Sequence, residues 1–329
     1  VKVGFLLTIA VAAATATART TIDTKTATRC VRCGRLIPFS SAYYQEDDDD
    51  ETSPYCEECF HEAGQTIHCY SYKPAPLFYG DGPMYMGVEL EVDDGGKDSG
   101  NARKILSVFN QNSEYGYIKS DGSLDDGLEL VTHPCTLKVH LQEVPWEETL
   151  EKIRFLGYFS HQASTCGLHV HVNRSFFGNT SARQDERIGH VLYLFERFWQ
   201  ELLRFSRRTQ RQVEQWAARY GYKDTGREIL EHAKKSYQGR YTCVNLTNAN
   251  TIEFRIFRGT LKYNTLIATL QFVEKLCSAA ISLSQEELQA LSWSDLMLGI
   301  REQQYPELVQ YLKERRLYVN EPIPAEGEV

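Results

Sequence analysis

The chain has 329 residues, of which 42% are hydrophobic and 24% are charged, a balance typical of globular proteins and unlike that of disordered or fibrous chains. Its 36 Lys and Arg against 44 Asp and Glu give a net charge of −8, and the run at 46–51 (EDDDDE) supplies six of the negative charges. Binding nucleic acid through bulk charge requires a basic face, so we expect no nucleic-acid partner.

Residues 1–29 are interpreted as a leader. The stretch 3–13 (VGFLLTIAVAA) follows Lys2 and precedes a run of small residues, a pattern typical of a short secretory signal. It is too short to span a membrane, and we expect no membrane association. The alternative is a disordered leader, which suits the paired cysteines that follow. We predict a cytoplasmic protein, or a secreted one if residues 1–18 are a genuine signal.

Two CxxC pairs follow, Cys30 with Cys33 and Cys56 with Cys59, separated by 22 residues. Each pair can form a tight turn whose two thiolates reach one ion, and two such turns complete a tetrahedral zinc site. Gly34 stands where such a turn often needs a positive φ. The pattern predicts a four-cysteine zinc-ribbon or zinc-knuckle module over 30–69 with a structural Zn²⁺, which could also bind a protein partner. The alternative is two unrelated pairs of thiols or disulfides.

The rest of the chain is divided by composition. The stretch 70–83 is rich in Pro and Gly and is interpreted as a linker, 84–317 as the catalytic domain and 318–329 as a disordered tail. Strands are predicted near 84–93, 115–119, 127–132, 165–173, 241–247 and 251–257. Helices are predicted at 101–111, 138–156, 182–205, 209–220, 226–236, 263–283 and 293–313. Ser181 and Gln184 are expected to form a capping box before the longest apolar stripe.

Four of the predicted strands share one design, an apolar face opposite a charged one. Side chains alternate along a strand, so in GVELEV the two glutamates face away from the apolar residues. In GLHVHV, GLELV and TIEFRIF the charged or imidazole side chains likewise face away from the apolar residues. The polar faces together carry Glu89, Glu91, Glu129, His169, His171, Glu253 and Arg255.

Carboxylates gathered on one face repel each other unless cations lie among them. Oxygen ligands with an imidazole favour Mg²⁺ or Mn²⁺ over Zn²⁺. Arg255 and Arg258 could then contact a phosphoryl group during its transfer. Divalent ions, carboxylates and arginines are what phosphoryl transfer from ATP requires, and the nucleotide would be held through its metals because the sequence has neither a Walker P-loop nor a GxGxxG motif.

The ordered segments GVELEV, KSDGSLDDGLELVTHP, CGLHVHVN, RYTCVNL and TIEFRIFRGTL resemble the amidoligase family. This family is a branch of the carboxylate–amine ligases that share the glutamine synthetase and glutamate–cysteine ligase fold. The resemblance implies an α+β fold, a curved antiparallel sheet with helices packed on one face. It also implies ATP-dependent formation of an amide or peptide bond through an acyl phosphate, with two or more Mg²⁺ or Mn²⁺ ions. The substrates would bear an amine and a carboxylate, as amino acids, peptides or protein side chains do.

The resemblance assigns roles to individual residues. It implies that Arg255 contacts the phosphoryl group, that Arg240 is a further catalytic arginine, and that Asp121 orients the incoming amine. The metal ligands that it implies are Glu89, Glu91, Glu129, His169 and Glu253. The nucleotide or phosphate contacts that it implies are Arg258, His171 and Asn245.

Two other functions are considered. A metal-dependent hydrolase could use the HxH strand, but it needs a parallel βα barrel, whereas the predicted strands cluster before 132 and after 240. A non-enzymatic protein could bind a partner through the cysteine module and carry a degenerate ligase domain. Degeneration usually removes a ligand, and all five implied metal ligands are present.

Overall fold

The computed structural model describes residues 26–31, 33–46, 52–57, 59, 66–236 and 239–319. The chain divides into two compact units, residues 1–65 and 66–329. Most of the predicted leader, the acidic run from residue 47 and the tail from residue 320 lie outside the described residues. The expectations for them therefore stay predictions. The predicted domain boundaries also stay predictions.

Two antiparallel pairs of short strands form the described part of the first unit. Strand β1 (Ala27–Arg29) pairs with β2 (Leu36–Pro38), and β3 (Tyr43–Glu46) pairs with β4 (Thr52–Tyr55). The turn between β1 and β2 carries the first CxxC pair, and there the Gly34 amide donates to the Cys30 carbonyl at 2.9 Å. Gly34 has a φ of +69°, so the positive φ predicted for it is confirmed.

The second unit is built on a seven-stranded sheet in the order β10-β11-β9-β6-β8-β7-β5. Its strands are β5 (Ile67–His68), β6 (Met86–Val92), β7 (Gly116–Lys119), β8 (Leu128–Thr132), β9 (Leu168–Asn173), β10 (Val244–Asn245) and β11 (Thr251–Phe254). Within the described residues, all of its strand pairs are antiparallel except that of β5 with β7. The mixed α+β class is confirmed, and β6 to β11 lie where the sequence predicts strands.

The sheet also includes a short strand before the first predicted one, which is near 84–93. Ile67–His68 forms its edge strand, Tyr72 is buried, and Tyr79 pairs with Cys135. Proline and glycine predict irregular backbone, but they do not say whether that backbone crosses solvent or packs on a neighbouring element. Most of the stretch 70–83 is exposed and irregular, although it belongs to the second unit.

Helices account for much of the second unit. They are α1 (Ser99–Phe109), α2 (Leu137–Gln142), α3 (Trp146–Phe155), α4 (Ser181–Arg197), α5 (Trp199–Ser206), α6 (Gln210–Trp216), α7 (Gly226–Lys234), α8 (Tyr263–Ser282), α9 (Gln285–Ala290), α10 (Trp293–Leu298) and α11 (Pro306–Glu314). Within the described part of the chain, no helix combines the length and apolar character needed to cross a membrane.

Three stretches predicted as single helices are each broken in two. Stretch 138–156 breaks before Trp146, 182–205 breaks at Phe198, and 293–313 breaks between α10 and α11. Two of the breaks have a proline at the start of the second helix, where the missing N–H costs nothing. The capping box predicted for Ser181 is also wrong, because the helix begins one residue earlier. Thr180 is its N-cap and accepts from the Arg183 amide at 3.3 Å.

The apolar faces of the strands form the core. Val88, Leu90, Val170, Val172 and Ile252 are completely buried, in one cluster with the apolar faces of α4 and α8. This packing fixes which way each strand faces, because a one-residue shift in register would exchange its two faces. The charged face of the sheet therefore points away from the core.

Candidate active site

The charged face of the sheet lines a cleft of about 1530 Å³. Ligand sites for small molecules usually measure about 300–1,000 Å³, so this cleft has room for more than one such ligand. All five implied metal ligands line it, as do His171, Asp121, Asn245, Arg240 and Arg255.

Strand pairing brings the acidic and imidazole side chains together. Glu89 of β6 is directly opposite His169 of β9, and Glu91 of β6 is opposite Glu129 of β8. His171 of β9 is opposite Glu253 of β11. Side chains paired in this way have Cβ atoms about 4.5–5.5 Å apart, so the register itself builds the cluster.

His169 is at the centre of the cluster. Its Nδ1 atom lies 3.3 Å from Glu89 Oε2, 3.7 Å from Glu253 Oε1 and 3.9 Å from Glu91 Oε1. His171 reaches the same carboxylate from the other side, with Nε2 3.1 Å from Glu89 Oε1. One imidazole thus faces three carboxylates, and one carboxylate faces two imidazoles.

Three groups of side chains bring ligand atoms within 4.8 Å of one another: Glu89, Glu129 and His169; Glu89, His171 and Glu253; and Glu91, Asp121 and Glu129. The groups share Glu89 and Glu129, so the arrangement can hold more than one cation. Carboxylate oxygens with imidazole nitrogens suit Mg²⁺ or Mn²⁺. Glu129 Oε2 and His171 Nε2 are buried, and their charged neighbours are Lys119 Nζ and Glu89 Oε1, each at 3.1 Å.

The carboxyl groups of the cluster differ in charge state. Burial raises the pKa of Glu129 well above its ordinary value, and the nearby Glu89 raises it further, against the opposing effect of Lys119. Burial also opposes ionisation of Glu89, but the charge of His171 and the hydrogen bond from His169 outweigh it and hold that pKa well below the ordinary value. Glu253 behaves like Glu89, with His171 and Arg255 lowering its pKa against burial.

Basic side chains border the cluster. Lys119 Nζ lies 3.1 Å from Glu129 Oε2, and the Arg255 guanidinium forms an ion pair with Glu253. Arg208 also lines the cleft and is 7% exposed. No role was predicted for Lys119 or Arg208. Lys119 lies on the charged face of β7, opposite Glu129.

Gly167 leaves space for the side chains of the cluster to approach the backbone. Its amide donates to Glu91, and a Cβ atom there would lie 2.6 Å from His169 Nε2, 2.8 Å from Arg208 Nη2 and 3.2 Å from Glu91 Oε2. Any side chain would displace these groups, so the position needs glycine for space. The sequence offered a signal, the glycine that opens the HxH strand, but no role was predicted for it.

Two residues predicted to contact phosphate, Asn245 and His171, lie next to the carboxylates. Asn245 is buried and donates to Glu253 Oε2 at 2.7 Å, so it fixes the orientation of that carboxylate. His171 joins the candidate metal ligands. Asp121, predicted to orient the amine, lies with Glu91 and Glu129, and its Oδ1 accepts from the Ser123 amide at 2.7 Å.

The two remaining arginines lie away from the carboxylates. Arg240 is at the rim of the cleft, where it donates to the Tyr70 hydroxyl and its guanidinium lies 5.2 Å from the centre of the Tyr241 ring. Arg258 is outside the lining of the cleft, near His161. Arg255 and Arg258 both follow the last residue of β11, so strand alternation does not place them on one face.

The four cysteines of the first unit also converge. All four Sγ atoms lie within 4.8 Å of one another, and those of Cys33 and Cys56 are 3.8 Å apart without a disulfide. A tetrahedral zinc with Zn–S bonds of about 2.3 Å would hold its sulfurs about 3.8 Å apart. Burial and hydrogen bonds to the other three thiols raise the pKa of Cys59. This opposes the thiolate unless a cation is bound.

The fold and the cleft thus define an α+β protein with a cluster of carboxylates and imidazoles on one face of its sheet. Residues 97–277, more than half of the chain, match the model of the family described as "Putative amidoligase enzyme". The chain belongs to this family, and the predicted resemblance is confirmed. The family is one of ligase-type enzymes. Comparison with curated proteins gave no match.

The matched segment contains Glu129, His169 and Glu253 but begins after β6. That Glu89 and Glu91 belong to the same cluster is therefore a finding of the structure. The first unit, with its four cysteines, also lies outside the match.

Proposed function

We propose that the second unit is an ATP-dependent carboxylate–amine ligase with the glutamine synthetase-like fold, acting through an acyl phosphate. The observation that carries the proposal is the convergence of four glutamates and two histidines on one face of the sheet, bordered by arginines. Family membership supports the ligase class. The volume of the cleft supports the binding of a nucleotide beside a second substrate.

The residues present fit divalent cations. Glu89, Glu91, Glu129, His169 and Glu253 would hold two or more Mg²⁺ or Mn²⁺ ions. His171 and Asp121 complete the groups that they form. Bound there, the ions would neutralise charge on the phosphate oxygens of ATP.

The reaction proposed has two transfers. A carboxylate oxygen of one substrate attacks the γ-phosphorus of ATP, and the bond to the bridging oxygen breaks, so that ADP leaves with the electron pair. The amine nitrogen of the other substrate then attacks the acyl carbon, inorganic phosphate leaves, and the nitrogen loses a proton. The product is an amide.

Two residues of the chain act on these steps. Arg255 is held by Glu253, and its Nε has no partner among the described residues, so it can donate to the phosphoryl oxygens as their charge develops. Asp121 would orient the amine. It lies with Glu91 and Glu129 in a group that attracts an ammonium as well as a metal, and such carboxylates can accept the proton that the nitrogen releases.

For the first unit we propose a structural Zn²⁺ held by Cys30, Cys33, Cys56 and Cys59, in a small zinc module. The separation of 3.8 Å between two of the sulfurs supports this. We propose separately that this module binds a protein partner, and a pull-down with the module alone tests this.

The alternative functions are less well supported. A zinc hydrolase with an HxH strand needs a parallel barrel, and the described strands of the second unit form a sheet with a single parallel pair. A degenerate ligase is disfavoured because all the implied metal ligands reach one cleft.

The test is release of ADP from ATP with Mg²⁺, screened over pools of amino acids and peptides. ADP release that requires both an amine and a carboxylate, and that falls to background in Glu253→Gln, is the expected result. Hydrolysis of amides without ATP, dependent on zinc, would favour the hydrolase. Mg²⁺-dependent binding of nucleotide without turnover of any pool would favour the degenerate ligase.

A further inference from the structure

The chain places a second arginine, Arg208, against the carboxylate cluster. It follows helix α5, whose C-cap residue Arg207 has a left-handed conformation with a φ of +63°. Such a φ is uncommon outside glycine. Arg207 is held there by hydrogen bonds from Nη2 to the carbonyls of Arg258 and Gly259, at 3.0 and 3.1 Å. This turn delivers the Arg208 side chain into the cleft.

The Arg208 guanidinium is poorly satisfied by the protein. It has five N–H donors, and its one side-chain hydrogen bond to a described residue runs from Nη2 to the Phe257 carbonyl at 3.3 Å. Its Nε is buried and has no partner within the described chain. Glu91 attracts it electrostatically, but the guanidinium forms no ion pair within 4.0 Å of a described carboxylate. Buried donors without partners are costly, so a ligand anion would satisfy donors that the protein does not.

Arg208 and Arg255 border the cluster beside different carboxylates. Arg255 is paired with Glu253. Arg208 Nη2, His169 Nε2 and Glu91 Oε2 instead all lie within 3.2 Å of the position that a Cβ atom on Gly167 would take. Both guanidinium groups have an Nε without a partner in the described structure. An anion beside the cluster could therefore accept from two arginines.

We propose that Arg208 binds the phosphoryl group that the proposed reaction transfers, together with Arg255. The inference rests on the proposed function, because the anion it names is the γ-phosphoryl group of ATP. A planar guanidinium can donate to two phosphoryl oxygens at once, and charge on those oxygens is what catalysis of phosphoryl transfer must stabilise. A substrate carboxylate would fit the same donors, and the experiment separates the two.

The test compares Arg208→Met with the parent protein by calorimetric titration. The ligands are the non-hydrolysable ATP analogue AMP-PNP and ADP, each with Mg²⁺, and Mn²⁺ without Mg²⁺ or nucleotide. We expect AMP-PNP to bind about tenfold to hundredfold more weakly to the variant, the range for loss of a charged hydrogen bond. ADP and Mn²⁺ should bind within about twofold of the parent, because they do not present the γ-phosphoryl group. The matched control is Arg211→Met, which alters an exposed arginine of α6 outside the cleft.

The melting temperature of the ligand-free variant provides a second reading. Removing a buried cation whose donors are mostly unsatisfied should leave the melting temperature unchanged or raise it. If Arg208 has a merely structural role, its removal should lower the melting temperature. If Arg208→Met does not fold, Arg208→Lys replaces it. That variant keeps the charge but loses the planar fork, and we expect weaker AMP-PNP binding with unchanged ADP binding.

Each contrary outcome has a distinct meaning. If the parent binds neither nucleotide, the proposed function fails and the inference with it. If the parent binds AMP-PNP and the variant binds it equally well, only the role of Arg208 is overturned. Equal weakening of ADP and AMP-PNP would also overturn it, since Arg208 would then contact the other phosphates. Unchanged nucleotide binding, with a raised KM for the amino-acid or peptide pool that supports ADP release, would overturn it as well and assign Arg208 to the carboxylate substrate.

Discussion

Glu129→Gln is expected to stabilise the metal-free protein, whereas Glu253→Gln is expected to destabilise it. Glu129 is 2% exposed, and its ionised form is opposed by burial and by Glu89 and Glu91. A neutral side chain of similar volume avoids the cost of burying that charge among like charges. Because Lys119 loses its partner in the exchange, we expect only a modest gain, about 1 kcal/mol.

Glu253 is 4% exposed and differs from Glu129 in its partners. It forms an ion pair with Arg255 and accepts from Asn245 at 2.7 Å and Asn248 at 3.3 Å. Removing one member of a buried ion pair typically costs about 3–5 kcal/mol, because the other charge is left unpaired. Nearby carboxylates still attract Arg255, so we expect a loss of about 3 kcal/mol.

Thermal unfolding without added divalent cation measures both changes. One kcal/mol shifts the melting temperature of a domain of this size by about 2–4 °C. Glu129→Gln should therefore melt about 2–4 °C higher and Glu253→Gln about 6–12 °C lower. The control is Glu151→Gln, whose side chain is 64% exposed and should change stability by less than about 0.5 kcal/mol. Added Mg²⁺ should stabilise the parent more than either cluster variant.

The difference between the parent and Glu129→Gln should depend on pH. The pKa of Glu129 is higher in the folded state than its ordinary value of 4.5, so its contribution to stability is present below about pH 4.5 and is lost as pH rises through the folded pKa. The two proteins should therefore unfold alike in acid and diverge at higher pH. A shift of the same sign for Glu129→Gln and Glu253→Gln at neutral pH would contradict this account of the cluster.

Three further predictions concern single groups. Arg255→Lys keeps the charge but loses the planar fork, and should slow ADP formation about 10²–10³-fold while nucleotide still binds, as single-turnover kinetics would show. Cys59→Ser should release zinc to a chromogenic chelator and unfold only the first unit, because metal binding supplies much of the folding energy of such a module; retained zinc would contradict this. Gly167→Ala should weaken Mn²⁺ binding, because its Cβ would lie 2.6 Å from His169 Nε2. Gly122→Ala, which meets no atom within 4 Å, should bind Mn²⁺ like the parent.

The sequence predicted the cluster because strand alternation is local. In β6, β8, β9 and β11 the period of two separates apolar from charged residues without knowledge of the neighbouring strand. Which charged residues meet depends on register, and that is set by tertiary packing. The pairing of Glu91 with Glu129, and of His171 with Glu253, could not be derived from any one strand.

Residues outside regular strands were predicted less well. Arg208 enters the cleft from a turn after a helix, and its neighbours Gly167 and Glu91 are distant in sequence, so no periodicity connects them. Arg240, implied to be a catalytic arginine, lies in a turn before β10 and contacts aromatic rings. The stretch 293–313 was predicted as one helix because its apolar residues recur at helical spacing. Pro306 begins a separate helix there, which that spacing alone did not indicate.

The packing of the core and the chemistry of the cleft depend on the same strand register. The apolar residues of β6 and β9 are completely buried beneath the helices, and a shift of either strand by one residue would expose them. That shift would also turn Glu89 and His169 into the core. Apolar burial therefore fixes the ligand positions even though the carboxylates repel each other. Strand register is thus what makes a cluster of like charges possible before any cation binds.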